Sequence, residues 1–196
     1  MTLDGTHVLF LTTNYGIEQD ELKRPMAHLR SAGAHVTVAA KRDEPVLTLV
    51  SDRRPGAVVE PDTTLAQAAP AEYDAVVVPG GTVNADRLRT DGQAQRLVAA
   101  FAAAGKPVAA ICHGPWLLLE SGVVGGREIT SYPSLRTDLE NAGANWRDRK
   151  VVVDTSGGHP LITSRRPADL DAFSAAIVDV LERAAHAGAG SRAVTG

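Results

Sequence analysis

The sequence contains a single cysteine, and the residues around it are those a catalytic thiol requires. Cys112 lies in GKPVAAICHGPWLLLESG, residues 105–122. The run from Val108 to Ile111 reads there as a strand, and Pro115 at the first helical position opens a helix. Ala110 and Gly114 stand two places to either side of the sulfur. A nucleophile on a strained strand-to-helix turn needs such small neighbours, because the backbones approach too closely for larger side chains. Unpaired N–H groups at the helix start favour thiolate over thiol, so the spacing predicts a thiol titrating well below the ordinary ~8.5. The bland alternative is an inert cysteine buried in the core.

His113 follows directly. Folded back across a sharp turn, its imidazole can serve as general base or proton donor, and its N–H as an oxyanion donor. Alternatively it is a solvent-facing histidine at a helix start. The segment VVVPGG, residues 76–81, ends a strand in bare backbone N–H groups at the same sheet edge. Gly80 and Gly81 are therefore the candidate oxyanion and pocket residues, with the Gly81 N–H as the second donor. By itself Pro-Gly-Gly is only a turn, and neither phosphate-binding glycine motif is present. The acidic stretch GIEQDELKRP, residues 16–25, places Glu18, Asp20 and Glu21 after the first strand. Such charges ordinarily complement a helix dipole. A carboxyl facing the Cys112 crevice would instead have its pKa raised by burial and like charge, and could donate a hydrogen bond to the sulfur. His159, in a GGHP turn, is a second histidine for the pocket; His7, His28, His35 and His186 carry no partner signal. No His or Cys set has metal-ligand spacing, and neither a metal nor another cofactor is expected.

These residues need a scaffold that brings strand ends together. HVLFLT, VTVAA, AVVVP, PVAAI and VVVD are continuous rather than alternating apolar runs, as in parallel strands covered on both faces. Helical patterns lie between them: Leu22, Met26 and Leu29 before Gly33, with Pro25 expected to kink that helix or delay its regular part; an Ala-rich helix from about Asp91 to Gly105; a short helix capped by Ser134 and ending near Asn141; and a last helix from Pro167. The predicted fold is α/β, a three-layer doubly wound sandwich with a mostly parallel, flavodoxin-like central sheet. Two antiparallel hairpins are expected beside it, VLTLV with AVV and VVVD with LITS. Residues 1–187 read as one domain and 188–196 as a flexible tail.

The chain has 196 residues, 44% hydrophobic and 22% charged, with a formal net charge of -3. It needs no metal or disulfide staple, offers no global positive field for nucleic acid, and has no apolar run of membrane-spanning length. No secretory signal is recognised at the N-terminus, and one cysteine suits a reducing compartment, so a cytoplasmic protein is expected.

PVAAICHGPWLL, VVVPGG, TSYPSLRTDLENAGANW and VVVD followed by LITSRRPADL together resemble the ThiJ/PfpI family, a branch of the class I glutamine amidotransferase-like fold. SYP and NAGANW mark the PfpI-like intracellular cysteine peptidase subgroup. The resemblance implies a nucleophilic Cys112 with His113 beside it, an oxyanion hole near Gly81, and Tyr132 lining the pocket. It also implies a protonated glutamate at Glu21, where E-x-x-x-P falls on Glu21 and Pro25. An acid completing a triad across a subunit interface matches Asp86 best, although GGTVNADRLR is one residue longer than the usual form and lacks its proline. TSGGHP is a further departure, expected to reshape the entrance or a contact surface. The implied activity is a PfpI-type cysteine hydrolase, an intracellular peptidase, with glyoxalase or deglycase action on methylglyoxal or glycated groups as the rival. A redox-sensing stress protein or chaperone is the non-enzymatic alternative. The expected partners are a small carbonyl or peptide substrate and further copies of the chain.

Overall fold

The continuous apolar runs become strands of one sheet because both of its faces are covered. The structure, a computed structural model, describes residues 2–192, with side chains described for residues 2–186. The chain runs through β1 (His7–Thr12), β2 (Tyr15–Glu18), α1 (Gln19–Ser31), β3 (His35–Ala40), β4 (Val46–Val50), β5 (Arg54–Val59), β6 (Thr63–Thr64) and β7 (Ala75–Val78). There follow α2 (Thr82–Arg89), α3 (Gly92–Ala103), β8 (Val108–Ile111), α4 (Pro115–Glu120) and β9 (Glu128–Ile129). The last elements are α5 (Arg136–Asn141), β10 (Asn145–Trp146), β11 (Val151–Asp154), β12 (Leu161–Ser164) and α6 (Leu170–Arg192).

The main sheet has the order β11-β12-β8-β7-β1-β3-β6, parallel throughout except for β11 against β12. Alternate strand residues face opposite layers. Leu9, Val76 and Val108 pack with Leu97, Phe101 and Leu117, whereas Phe10, Val77 and Ala109 pack with Leu22, Leu29 and Phe173. This is the expected three-layer α/β sandwich. β1 lies between β3 and β7, so its carboxyl end marks the point where strand order reverses and a crevice opens. The turns after β1, β7 and β8 all emerge there.

Several details differ from expectation. The β4–β5 hairpin forms, but β2 pairs parallel to β4 and completes a separate three-stranded sheet. The four residues of β2 are too few for a periodic signal. The β11–β12 hairpin is the edge of the main sheet itself, joined through β12 to β8. α1 starts at Gln19 and continues through the buried Pro25, so the proline does not delay it. Ser134 sits inside a 3-10 turn, Pro133–Leu135, and makes no cap for α5. The expected tail falls largely on residues whose side chains lie outside the described part; the α6 backbone is helical to Arg192, and residues 193–196 lie outside the described residues. No helix among the described residues is long and apolar enough to cross a membrane.

Candidate active site

Cys112 directly follows β8 with φ 61, in the left-handed region that a side chain rarely adopts. Such strain costs roughly 1–3 kcal/mol and persists only where the surroundings fix it. Here they do: the Cys112 N–H donates to the Ser164 carbonyl at 3.0 Å, and the Tyr132 N–H donates to the Cys112 carbonyl at 2.9 Å. A side chain at Gly114 would collide with the carbonyls of Val78 and Ile111. A Cβ at Gly80 would fall 2.5 Å from Glu21 Oε2 and 2.8 Å from Cys112 Cβ. Both glycines are therefore fixed by close approach to the turn.

His113 folds back as expected, its Nδ1 3.1 Å from Cys112 Sγ. Its ring stacks on Tyr132 with centroids 4.8 Å apart and tilts against Trp116 at 5.4 Å. Its other nitrogen, Nε2, lies 3.4 Å from Ser134 Oγ. The hydroxyl assigned from sequence to a helix cap thus faces the histidine instead. The visible hint was its position two residues after Tyr132.

Glu21 occupies the first turn of α1 and is fully buried. Oε2 accepts a hydrogen bond from the Gly80 N–H at 2.9 Å, while Oε1 has no hydrogen-bond partner. Gly80 is thus a support for Glu21 rather than a free oxyanion donor. Gly81, with φ 82, starts α2 and packs against the backbone of Gly16 and Glu18. Asp86 is exposed on α2, outside the residues that line the cavity, and is not brought to His113 within one chain.

The thiol, His113 and Glu21 open into a cavity of about 440 Å³, also lined by Glu18, Asp20, Asp52, Thr82 and Tyr132. Cys112 is only 6% exposed at its floor. Asp52, which the sequence reading missed, comes from the β4–β5 turn, where Ser51 and Asp52 both have positive φ. Its carboxylate accepts from Thr82 N–H at 3.0 Å and Thr82 Oγ at 2.7 Å, and its own N–H donates to Glu18 Oε2 at 3.2 Å. A turn between two strands gives no local sign of that reach.

Burial pushes the Glu21 carboxyl up to about 8, against the bonds that favour its charge. Burial raises Glu18 as well. The thiol is also pushed up, first by burial and then by any charge on Glu21, and the His113 N–H directed at the sulfur only partly offsets this. The low thiol pKa expected from the helix start is therefore overturned: α4 begins three residues on and has six residues, while the carboxyl is adjacent. Two like charges so close cannot both exist, and the pair titrates jointly. Burial lowers His113, leaving a neutral imidazole able to take the sulfur's proton.

His159 lies elsewhere. It precedes β12, whose first residue pairs with the first of β8, so it sits at the amino end of the strands. Buried Arg127 donates there to the carbonyls of Asp154 and His159 at 2.9 and 2.8 Å and pairs with Asp154 Oδ1 at 3.2 Å. The TSGGHP turn accordingly does not shape the entrance to the Cys112 cavity.

A neutral base on a buried thiol, beside an acid with an open oxygen, can add sulfur to an electrophilic carbon and manage the protons of that step. Comparison with known proteins agrees with this reading. The model of the DJ-1/PfpI family matches residues 6–180. A Pyrococcus horikoshii protein named Deglycase PH1704 is 38% identical over 175 residues, covering 89% of this chain and 99% of the relative. Bacillus subtilis YraA, whose name carries a provisional assignment as a cysteine protease, is 40% identical over 127 residues, 65% of this chain and 72% of its own. The crystal structure of Drosophila melanogaster DJ-1beta superposes with a TM-score of 0.79 at 33% identity, covering 90% of each chain.

Proposed function

Because the chain belongs to the DJ-1/PfpI family, we propose that it is a cysteine-dependent hydrolase whose Cys112 attacks small electrophilic carbonyl compounds, as in deglycation. One observation carries this reading: Sγ stands 3.1 Å from a neutral imidazole, on a strained turn at the floor of a 440 Å³ cavity. As substrate approaches, His113 takes the thiol proton and the S–C bond forms while the carbonyl π pair moves to oxygen. The Gly81 N–H, at the turn after β7, and the His113 N–H, once the sulfur is bonded, are the donors assigned to the resulting oxyanion. Glu21, protonated, donates to the sulfur and keeps a second negative charge out of the site. The oxyanion pair then re-forms the carbonyl as the bond to the departing group breaks, and His113 gives that group the proton. Water, deprotonated by the same imidazole, adds to the sulfur-bound carbon, and the C–S bond breaks to restore the thiol. Ser134 keeps the ring turned toward the sulfur.

The narrow, nearly covered sulfur suits a small adduct better than an extended polypeptide. Hydrolysis of short peptides is the second reading, favoured by the likeness to YraA. A buried, protonated thiol suits turnover better than peroxide sensing. Asp86 joins the site only from another copy in a homo-oligomer, and its exposure on α2 leaves it available for that contact. The setting is cytoplasmic, in keeping with the free thiol. The test is turnover of methylglyoxal, a glycated thiol and a fluorogenic peptide side by side. The expected result is turnover of the carbonyl substrates, lost in Cys112→Ala. Turnover that survives that substitution overturns the assignment.

A further inference from the structure

The turn that carries the Gly81 N–H is built from the two residues least able to hold a peptide in one orientation. Close approach of Gly80 to Glu21 and Cys112, and of Gly81 to Gly16 and Glu18, excludes side chains at both positions. The peptide between two glycines rotates easily, because neither end carries a Cβ to resist it. The flanking hydrogen bonds do not prevent this. The Gly80 N–H donates to Glu21 and the Gly81 carbonyl accepts from the Ala85 N–H, and both groups belong to neighbouring peptides. What grips the peptide itself is Asn84. Its Nδ2 donates to the Gly80 carbonyl at 3.0 Å, and among the described residues that oxygen has no other hydrogen-bond partner. The Gly81 N–H, on the same peptide, meets no acceptor among them.

Asn84 stands in the first turn of α2 and is fully buried. Its Oδ1 accepts from the Thr13 N–H at 2.8 Å, a group that can only donate, which settles which end of the amide is oxygen. The Thr12 and Thr13 hydroxyls lie 3.1 and 2.9 Å from the same oxygen, and each also has a backbone carbonyl within reach. The amide oxygen is thus saturated at the end of β1, and Nδ2 is left aimed at the glycine turn. Resting on the reading of Cys112 as nucleophile and Gly81 as oxyanion donor, we propose that Asn84 is the positioning residue of the oxyanion hole. In a planar trans peptide the N–H points opposite to the carbonyl, so fixing the Gly80 oxygen fixes the Gly81 N–H. Donors of this kind are effective because they are aimed before charge develops, and a peptide that must first rotate loses that advantage. Asn84 acts through the turn and does not itself touch substrate.

The test separates carbonyl addition, which develops an oxyanion, from alkylation, which does not. Iodoacetamide alkylates the sulfur by displacement: the S–C bond forms, iodide leaves and the thiol proton goes to the base. Turnover of methylglyoxal and of a glycated thiol, and the iodoacetamide rate, are measured on the full chain, unaltered and as Asn84→Ala and Asn84→Asp. In Asn84→Ala kcat is expected to fall about ten- to a hundredfold, less than the roughly 100- to 1,000-fold effect of removing a hole donor outright. KM and the alkylation rate stay within about twofold. Asn84→Asp keeps the acceptor for Thr13 and regains a donor only when protonated, so its kcat relative to the unaltered protein rises toward acid pH. A kcat within about threefold in Asn84→Ala, or alkylation that falls in step with kcat, overturns the proposal and leaves Cys112 as nucleophile. If Asn84→Ala does not fold, the Asn84→Asp profile decides, and a ratio that stays constant between about pH 6 and 9 overturns the proposal. If neither variant folds, amide relaxation dispersion of Gly81 in the unaltered protein decides: a flat profile is expected of a held peptide, and exchange there overturns the proposal. Alkylation of the unaltered protein without turnover of either carbonyl substrate overturns this proposal and the proposed activity together.

Discussion

Two buried polar clusters occupy opposite ends of the same strands, and they differ in whether buried charge meets its opposite. At the amino end, Arg127, Asp154 and the turn around His159 neutralise one another: the guanidinium reaches two carbonyls and a carboxylate, and Asp154 also accepts from Ser156 and the Glu128 N–H. At the carboxyl end, Glu21 is equally buried but faces no cation, retains an oxygen without a partner, and shares a cavity with a thiol and an imidazole. Buried charge alone does not mark a functional site. A carboxyl held without a cation against a nucleophile, where a substrate can enter, does.

The contrast is breakable by substitution. Cys112→Ala lowers turnover by about a thousandfold or more with the fold intact, as expected when a nucleophile is removed; a steady-state assay and a melting curve on the same preparation check it. Arg127→Ala does the reverse. It leaves Asp154 buried without its cation and costs roughly 3–5 kcal/mol of stability, measured by urea unfolding, while the pH profile of turnover stays in place. A shifted profile would tie the amino-end cluster to the chemistry.

The two ends also respond to pH with opposite sign. Glu21 is raised in the folded state, so its contribution is present below the unfolded value near 4.5 and is lost as pH rises through about 8. The loss amounts to roughly 3–5 kcal/mol between those limits, and Glu21→Gln abolishes that part of the slope. For Asp154, burial acts upward but the Ser156 and Glu128 bonds outweigh it and hold the carboxyl at about 2. Its contribution is present above 3.8 and is lost as pH falls through about 2, worth roughly 2 kcal/mol, and Asp154→Asn removes it. Urea midpoints across pH for the two variants check both signs. The smallest effect is expected from Ser134→Ala. Losing one 3.4 Å contact to His113 should lower kcat by a few-fold, leave KM in place and leave stability within about 0.5 kcal/mol.

Much of this was legible in the sequence because the signals are local. The unbroken apolar runs foretell strands covered on both sides, and the small residues flanking Cys112 foretell the turn they permit. Glu21 needed the resemblance to separate it from Glu18 and Asp20; its complete burial then made it distinctive. Asp52 was invisible because its role rests on a hairpin tip reaching Thr82, 30 positions along the chain. Ser134 was misread because a hydroxyl before a helical pattern has two possible partners, and only folding shows that it faces His113. The thiol's acidity was misjudged for a related reason: the helix start is written in the sequence, but the desolvation that outweighs it is not.

The central claim is that Glu21 keeps its proton beside Cys112 at neutral pH, and infrared difference spectroscopy tests it most directly. Subtracting spectra of Glu21→Gln from those of the unaltered protein across pH 5 to 9 isolates this one carboxyl. The account predicts a protonated carboxyl band at pH 6 that disappears near pH 8. A carboxylate band already complete at pH 6 would contradict it.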